Sequence, residues 1–349
     1  MTLPGREAYK DELTALAAGD PRIVCLEADL GGPSHPFAER HPDRFCNLGI
    51  AEAAAVDIAV GLASAGLRPF LSTFAAFGTW RAAESVKLGL GYQGAPVVLV
   101  CPYGGVSGGW FGPTHHSLED LAVVQSLPGV RIAVPCGEAE TRAVIRAAAG
   151  EDRPCYVRLA RNEPYEAPFE PAGRGEAGWV RGTGGPTCLV SVGEKPAQLC
   201  VAATERRPDL SHAHLCWVDF ESLAQAAAEL AESARRLVVV EEHRAAGSVA
   251  STLALLLPGH EVLSVNAGTS WPSEGGGHDD TLASLGLTVP AVLAAADLGV
   301  PETVTIGLAA RGAPRPATAS GTPHATTAGT GTGTPGATHA PTTHSQGAT

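Results

Sequence analysis

The sequence predicts an α/β protein built around a mostly parallel sheet, and two observations support that fold class. Short apolar runs, rich in β-branched residues and bounded by Gly or Pro, recur along the chain as buried strands do. Helix-like stretches of several turns separate these runs, and most of them end at glycine, a common helix stop. Strands that alternate with helices favour parallel pairing, because each helix returns the chain to the same end of the sheet.

The first α/β unit is predicted to span residues 1–165. Its predicted strands are RIVCLEA at 22–28, APVVLVC at 95–101, VRIAVP at 130–135 and PCYVRLA at 154–160. Its predicted helices are REAYKDELTALAAG at 6–19, AEAAAVDIAVGLASAG at 51–66, FGTWRAAESVKLGLG at 77–91 and GEAETRAVIRAAAG at 137–150.

A second, smaller α/β unit is predicted at 187–305. The segment at 166–186 precedes it and has the Pro, Gly and charge content of a linker. Alternation then resumes with TCLVSV at 187–192, a helix near 195–205, HLCWV at 214–218, a helix near 221–234, RLVVVEE at 236–242 and a helix at about 247–257. Residues 306–349 have few large apolar side chains, so they are predicted to form a disordered low-complexity tail.

The composition excludes several classes of protein. Hydrophobic residues make up 44% of the 349 residues and charged residues 17%, which indicates packed domains rather than a disordered chain. A net charge of −12 has the wrong sign for a nucleic-acid or anionic-membrane partner. No apolar run reaches the roughly 18 residues of a membrane span, and the start lacks a signal-peptide pattern, so a cytoplasmic location is predicted. The eight cysteines are scattered singly, which favours buried core thiols.

The segment from Arg44 to Trp80 is the most informative part of the sequence. The helix that follows Glu52 is apolar nearly all round, which predicts a buried helix and a carboxyl with little water around it. On the residues alone, Glu52 has a plainer interpretation, in which it lies in the first turn of the helix and complements the helix dipole.

Three short motifs in that segment and a fourth further along the chain give it a further meaning. They are G-I-A-E at 49–52, G-L-A-x-x-G-x-x-P-F at 61–70, T-F-A-x-F at 73–77 and G-P-T-H-H at 112–116. In this order and spacing they resemble the pyrimidine-binding domain of the transketolase family of thiamine diphosphate enzymes. The second unit, with VVVEEHRAAGSVAS at 238–251, is similar to that family's smaller C-terminal domain. The resemblance therefore implies a thiamine diphosphate-binding fold followed by that domain.

The resemblance implies a set of cofactor contacts. Glu52 matches the acid that protonates the cofactor's aminopyrimidine ring, which enables that ring to take a proton from the reactive thiazolium carbon. Phe74, Phe77 and Trp80 match an aromatic pocket in which Phe77 would stack on the pyrimidine. Taken without the resemblance, aromatic side chains at this spacing are equally typical of a core-facing stripe on a helix.

The resemblance also implies substrate contacts. His115 matches a histidine that reaches a substrate oxygen near the reacting carbon, where an imidazole stabilises developing charge, and His116 is a lesser candidate. Arg161 matches an arginine that holds a substrate phosphate, and Arg6 has the spacing of a second phosphate contact. Taken alone, the histidine pair is also typical of a turn in a Gly-rich loop, and Arg6 of a solvated surface arginine.

Two positions depart from the family pattern. Phe111 stands where transketolases have an acidic residue that binds a sugar hydroxyl, and Tyr103 stands where they have a histidine. A buried aromatic side chain rejects the hydroxyl it displaces. We therefore expect the donor or acceptor to differ from an ordinary pentose phosphate.

The family's G-D-G…Asn motif for diphosphate and magnesium is missing, so no metal site is predicted in this chain. The resemblance then implies a partner subunit that carries the diphosphate and Mg²⁺ site, in an α2β2 complex that transfers a two-carbon ketol or acyl unit between small carbonyl substrates. A subunit of an enzyme that decarboxylates 2-oxo acids, like deoxyxylulose phosphate synthase or pyruvate dehydrogenase, and a non-catalytic scaffold subunit are the alternatives.

Overall fold

The computed structural model describes residues 2–30, 35–161, 163–272 and 275–298. The first sheet has the strand order β2-β1-β3-β4-β6-β5, and all of its pairings are parallel. Its strands are β1 (Ile23–Glu27), β2 (Phe45–Asn47), β3 (Arg68–Ser72), β4 (Val98–Cys101), β5 (Arg131–Ala133) and β6 (Cys155–Arg158). The tail predicted at 306–349 lies outside the described residues.

The second sheet has the order β11-β10-β8-β9-β7 and is parallel except for the β7 and β9 pair. Its strands are β7 (Gly178–Arg181), β8 (Thr187–Val192), β9 (Ser211–His214), β10 (Arg236–Glu241) and β11 (Glu261–Val265). The predicted α/β fold with a mostly parallel sheet and a second, smaller sheet is confirmed.

Helices connect the parallel strands in both sheets, as right-handed crossovers require. In the first unit they are α1 (Gly5–Gly19), α2 (Pro36–Arg40), α3 (Glu52–Ser64), α4 (Ala83–Val86), α5 (Asp120–Gln125) and α6 (Gly137–Gly150). In the second they are α7 (Glu194–Arg206), α8 (Phe220–Ser233), α9 (Val249–Leu256), α10 (His278–Ser284) and α11 (Val289–Asp297).

Two predicted elements differ from the structure in an informative way. The helix predicted at 77–91 is divided into π-helical turns at Phe77–Arg81 and Lys87–Tyr92 on either side of α4. A π-helical turn widens the backbone and is frequent at functional sites. HLCWV contains only the end of β9, because the strand itself is formed by the preceding SHAH.

The two sheets are joined by backbone hydrogen bonds. The amide of Val134 donates to Cys216, and the amide of Val218 donates to Ile132, so the chain after β5 runs beside the chain after β9. One apolar cluster continues across this junction from the helices of the first sheet to those of the second. The predicted boundaries at 165 and 186 stay a prediction, and β7 falls between them.

The prediction of a helix buried all round after Glu52 is wrong for this chain by itself. One side of α3 packs on the sheet, but Ala54, Asp57, Ile58 and Gly61 are exposed. An apolar sequence therefore does not by itself show that every side of a helix is buried within its own chain. Seven of the eight cysteines are buried, as expected of core thiols, and Cys46 is exposed. No helix in the described ranges has the length and apolar character needed to cross a membrane.

A buried carboxyl at the start of α7 makes stability depend on pH. Burial raises the pKa of Glu194 to about 7, although the charge of Lys195 acts in the opposite direction. The folded chain therefore favours the protonated acid, whereas the unfolded chain ionises near the ordinary value of 4.5. The free energy of unfolding should fall as the pH rises from about 4.5 to 7 and then level off.

Between pH 5 and pH 8 we expect the free energy of unfolding to fall by about 3 kcal/mol more in the wild type than in Glu194→Gln, because the amide does not ionise. Urea unfolding of both proteins at the two pH values measures the difference. Glu205→Gln changes an exposed residue of the same helix and serves as the matched control. Equal pH dependence in the wild type and Glu194→Gln would contradict the prediction.

Candidate functional site

Candidate site residues gather at the carboxyl edge of the first sheet. Phe74 follows β3, Tyr103 follows β4 and Arg161 follows β6, and these three strands are neighbours. Glu52 opens α3 soon after β2, on the other side of β1. Ligands of parallel α/β sheets bind beyond the carboxyl ends of the strands, so the fold brings these residues to the expected place.

Glu52 is the buried acid of this site. Its side chain is 2% exposed, and its Oε1 accepts a hydrogen bond from Nη1 of Arg81 at 2.6 Å. Its Oε2 is buried and has no hydrogen-bond partner among the described residues. Buried carboxyl oxygens are usually bonded, so Oε2 is an acceptor that a further group could use.

An aromatic cluster lies at the centre of the site. It is formed by Phe74, Phe77, Tyr103, Phe111 and His115, with ring centroids 4.5 to 6.4 Å apart. The His115 imidazole meets the rings of Phe74 and Phe77 edge-on and stacks on Phe111 at 4.8 Å. Edge-on and offset contacts of this kind are the favourable ones for aromatic rings. The cluster therefore holds His115 in one orientation.

The electrostatics of the cluster keep His115 uncharged. Burial, the charge of Arg81 and the neighbouring His116 lower the pKa of His115 below its usual value. Its Nδ1 shares a hydrogen bond of 2.9 Å with the Thr114 hydroxyl. A neutral imidazole near pH 7 can both donate and accept a hydrogen bond, which suits a residue that meets a substrate oxygen.

His115 is carried by a closed loop between Tyr103 and Ser117. Gly105 and Ser117 exchange backbone hydrogen bonds of 2.9 and 2.7 Å, which close the base of the loop. Tyr103 enters the loop with φ at +66°, a conformation that costs free energy for a residue with a bulky side chain. Strain of this kind persists only when the surroundings enforce it, and here it turns the Tyr103 ring onto Phe74.

The second unit fixes this loop. Oε1 of Glu242, just after β10, accepts hydrogen bonds from the amide of Val106 at 2.6 Å and from Nε2 of His278 at 2.9 Å. Gly105 has φ at +65° and lies so close to Glu242 that a Cβ would collide with the carboxyl group. Only glycine fits there, so the close approach explains one glycine of the loop.

The remaining predicted substrate residues fall in different places. Arg161 is exposed and stacks its guanidinium 4.9 Å from the centre of the Tyr103 ring, beside the cluster. His116 is buried and donates to the carbonyl of Gly109, so it folds the loop back on itself. Arg6 donates to the carbonyl of Leu30 at 3.4 Å, past the end of β1. Trp80 is 58% exposed.

Sequence reasoning missed Arg81 and Glu242. Arg81 directly follows the last predicted aromatic residue, but nothing in the spacing identifies it as the partner of Glu52, 29 positions away. Glu242 lies inside the quoted VVVEEHR motif, yet its contact with Val106 spans 136 positions. Both contacts depend on the tertiary fold, and a single sequence carries no signal for them.

Comparison with known proteins places the chain in a family. The family profile described as "Transketolase, pyrimidine binding domain" matches residues 2–165. A subunit of the apulose-4-phosphate transketolase of Phocaeicola vulgatus is 32% identical over 255 residues, which cover 70% of this chain and 80% of that protein. 1-Deoxy-D-xylulose-5-phosphate synthase 1 of Kitasatospora griseola is 34% identical over 254 residues, which cover 70% of this chain and 38% of that protein.

One solved structure matches this chain over nearly all of its own length. The structure described as "Split gene transketolase, inactive beta4 tetramer" superposes with a TM-score of 0.73 at 30% identity. The match covers 85% of this chain and 97% of that one. By that description, the superposed protein is a transketolase encoded by a split gene.

The fold and the matched profile together define the first unit as a pyrimidine-binding domain of the transketolase type. The chain belongs to the transketolase family, and its relatives imply the use of thiamine diphosphate.

Proposed function

We propose that the chain is one subunit of a two-component, thiamine diphosphate-dependent transketolase that transfers a two-carbon ketol or acyl unit between carbonyl compounds. The observation that carries the proposal is Glu52, a buried acid with an unpartnered oxygen, which Arg81 links to the ring of Phe77 in the aromatic cluster. The family profile and the split-gene relative support the same function.

The residues present fit the pyrimidine half of the cofactor. Glu52 offers an unpartnered acceptor at Oε2, and the ring of Phe77 offers a flat apolar face, so an amino-substituted heteroaromatic ring has both partners it needs. When bound, thiamine diphosphate supplies a nucleophilic carbon for reaction at a carbonyl group. Glu52 would hold a proton at the pyrimidine nitrogen, and the rings would exclude water from it.

His115 and Arg161 would bind the substrate. The neutral imidazole of His115 can donate a hydrogen bond to a carbonyl oxygen and stabilise the charge that develops there. Arg161 is exposed and lies over the Tyr103 ring, where its planar fork could hold an anionic end of the substrate. Both groups contact rings of the aromatic cluster, so the carbonyl and the anionic end of one substrate would lie beside the same cluster.

A partner subunit would complete the site. The chain lacks the G-D-G…Asn motif, so we assign the diphosphate and Mg²⁺ to a transketolase-type subunit with that motif, in an α2β2 complex. The apolar side chains exposed on and around α3 support this assignment, because such groups are typical of protein interfaces. This α3 surface comprises Ile50, Ile58, Trp80, Leu88 and Tyr92.

The aromatic cluster also bears on the substrate. The rings of Tyr103 and Phe111 lie beside each other, and Phe111 stacks on His115; Phe111 is half exposed rather than buried, but its ring still cannot accept a hydrogen bond from a sugar hydroxyl as a carboxylate would. We therefore expect xylulose 5-phosphate and ribose 5-phosphate to be poor substrates compared with a donor or acceptor that has fewer hydroxyl groups at this position.

Reconstitution tests the proposal. We expect the chain with a partner subunit that contains the G-D-G…Asn motif to bind thiamine diphosphate and Mg²⁺ in calorimetry, and to transfer a two-carbon unit detected by mass spectrometry. The chain alone should show no turnover. Turnover by the chain alone, or no cofactor binding by the pair, would contradict the proposal, and preferred use of the pentose phosphate pair would contradict the substrate expectation.

Decarboxylation is the second candidate function. Phe111 stands where transketolases have an acidic residue, which favours a donor with fewer hydroxyl groups, such as a 2-oxo acid. The chain is also similar to a deoxyxylulose phosphate synthase. Release of labelled carbon dioxide from carboxyl-labelled pyruvate distinguishes the two, because ketol transfer releases none.

A further inference from the structure

Arg81 occupies the position where the cofactor's pyrimidine ring is expected. Its Nη1 lies 2.6 Å from Oε1 of Glu52, and its guanidinium carbon lies 4.1 Å from the centre of the Phe77 ring. One planar cation thus pairs with one oxygen of the carboxyl, Oε1, and covers one face of the ring, while Oε2 has no partner among the described residues. No other guanidinium in the described residues contacts either group.

The guanidinium and the pyrimidine ring need the same two partners. A guanidinium is flat, stacks on aromatic rings and donates hydrogen bonds in its own plane. The pyrimidine ring is also flat, and it needs a stacking face together with a bond to Glu52. A separation of 4.1 Å is van der Waals contact, so the face of Phe77 that Arg81 covers has no room for a second ring.

Only one of the two side chains of the ion pair is free to move. Arg81 is 45% exposed and lies on the π-helical turn at Phe77–Arg81, so its long side chain can extend into water. Glu52 is 2% exposed at the first turn of α3 and is held by the helix. Arg81 is therefore the group that can leave.

We infer that Arg81 is a displaceable counter-ion of Glu52, which covers the face of Phe77 in the cofactor-free chain and must leave that face before the pyrimidine ring can stack there and bond to Oε2 of Glu52. This inference rests on the proposed function. Arg81 then lowers cofactor affinity by competition, while it shields a buried carboxylate that would otherwise stand unpaired. Its role is to position and protect Glu52 in the free subunit.

Cofactor affinity measures this competition. In the reconstituted pair we expect Arg81→Ala to lower the dissociation constant of thiamine diphosphate by about 3- to 10-fold, as the loss of one half-exposed ion pair and one cation–π contact implies. The dissociation constant of Arg81→Lys should lie between those of the wild type and Arg81→Ala. An ammonium can pair with Glu52 but does not cover the ring as a planar group does. Calorimetry at saturating Mg²⁺ gives the constants without reference to turnover.

The direction of the change separates competition from a structural role. Thiamine diphosphate is an anion, so removing a positive charge should by itself weaken its binding, and Arg22→Ala, at an exposed arginine paired with Asp20, serves as the charge-matched control. Weaker or unchanged binding by both Arg81 variants would overturn the inference. Failure of the wild-type pair to bind the cofactor would instead contradict the proposed function.

Discussion

Turnover by the reconstituted pair should fall at least about 100-fold when Glu52 is replaced by glutamine, the size of effect expected from removing an acid–base group. Glutamine keeps the length of the side chain and can still accept a hydrogen bond from Arg81. It has no proton that it can give up and recover near neutral pH, so the pyrimidine ring loses its acid.

The measurement is kcat at saturating cofactor, with cofactor binding followed separately by calorimetry. Glu12→Gln is the matched control, because Glu12 is also a buried carboxylate paired with arginine, on α1 with Arg142 and Arg146 of α6. The control should change turnover less than about twofold, as expected of a site remote from the chemistry. If Glu52→Gln kept the wild-type kcat, the chain would be better explained as a scaffold subunit.

The fold and the central residues of the site follow from local sequence patterns. Helix α6 has the predicted bounds of 137–150, and β8 those of TCLVSV, because periodicity and Gly or Pro boundaries are local properties. Short motifs, through their resemblance to the family, predict Glu52, Phe74, Phe77 and His115 as site residues, and that assignment stays a prediction. Each motif lies within a few residues of chain, where a single sequence is most informative.

Other features depend on contacts that a single sequence does not record. The ion pair between Arg81 and Glu52 and the bond from Val106 to Glu242 join distant positions. The apolar sequence of α3 likewise does not show that one of its sides is exposed. His115 and His116 are neighbours in one motif but have different surroundings. His115 contacts the aromatic cluster, whereas His116 bonds to the carbonyl of Gly109. The motif alone does not say which of two adjacent side chains faces the site.

Stability is expected to depend most strongly on Arg158, the last residue of β6. Its side chain is 5% exposed, and its Nε lies 2.9 Å from the carboxylate of Asp120, which is completely buried. Its Nη2 also donates to the carbonyl oxygens of Ser117 and Glu242 at 3.0 and 2.8 Å. One guanidinium thus joins β6, the base of the His115 loop and the end of β10.

Replacing Arg158 with alanine should lower the free energy of unfolding by about 3 to 5 kcal/mol, because Asp120 would be left as a buried charge without a cation. Tyr156→Phe removes only the hydrogen bond of 2.8 Å from the Tyr156 hydroxyl to Asp120 and should cost about 1 to 3 kcal/mol. Denaturant unfolding of both variants gives the comparison.

The double variant Arg158→Ala with Asp120→Asn tests the cause of that loss. Removing the stranded charge should recover part of the stability, so the two changes together should cost less than their sum. The His115 loop should nevertheless stay loosened, since the bonds to Ser117 and Glu242 are still missing, and kcat should remain low in a protein that is again folded. Full additivity would show that the Asp120 charge is not what makes the loss of Arg158 costly, and a normal kcat would show that the loop does not depend on this guanidinium.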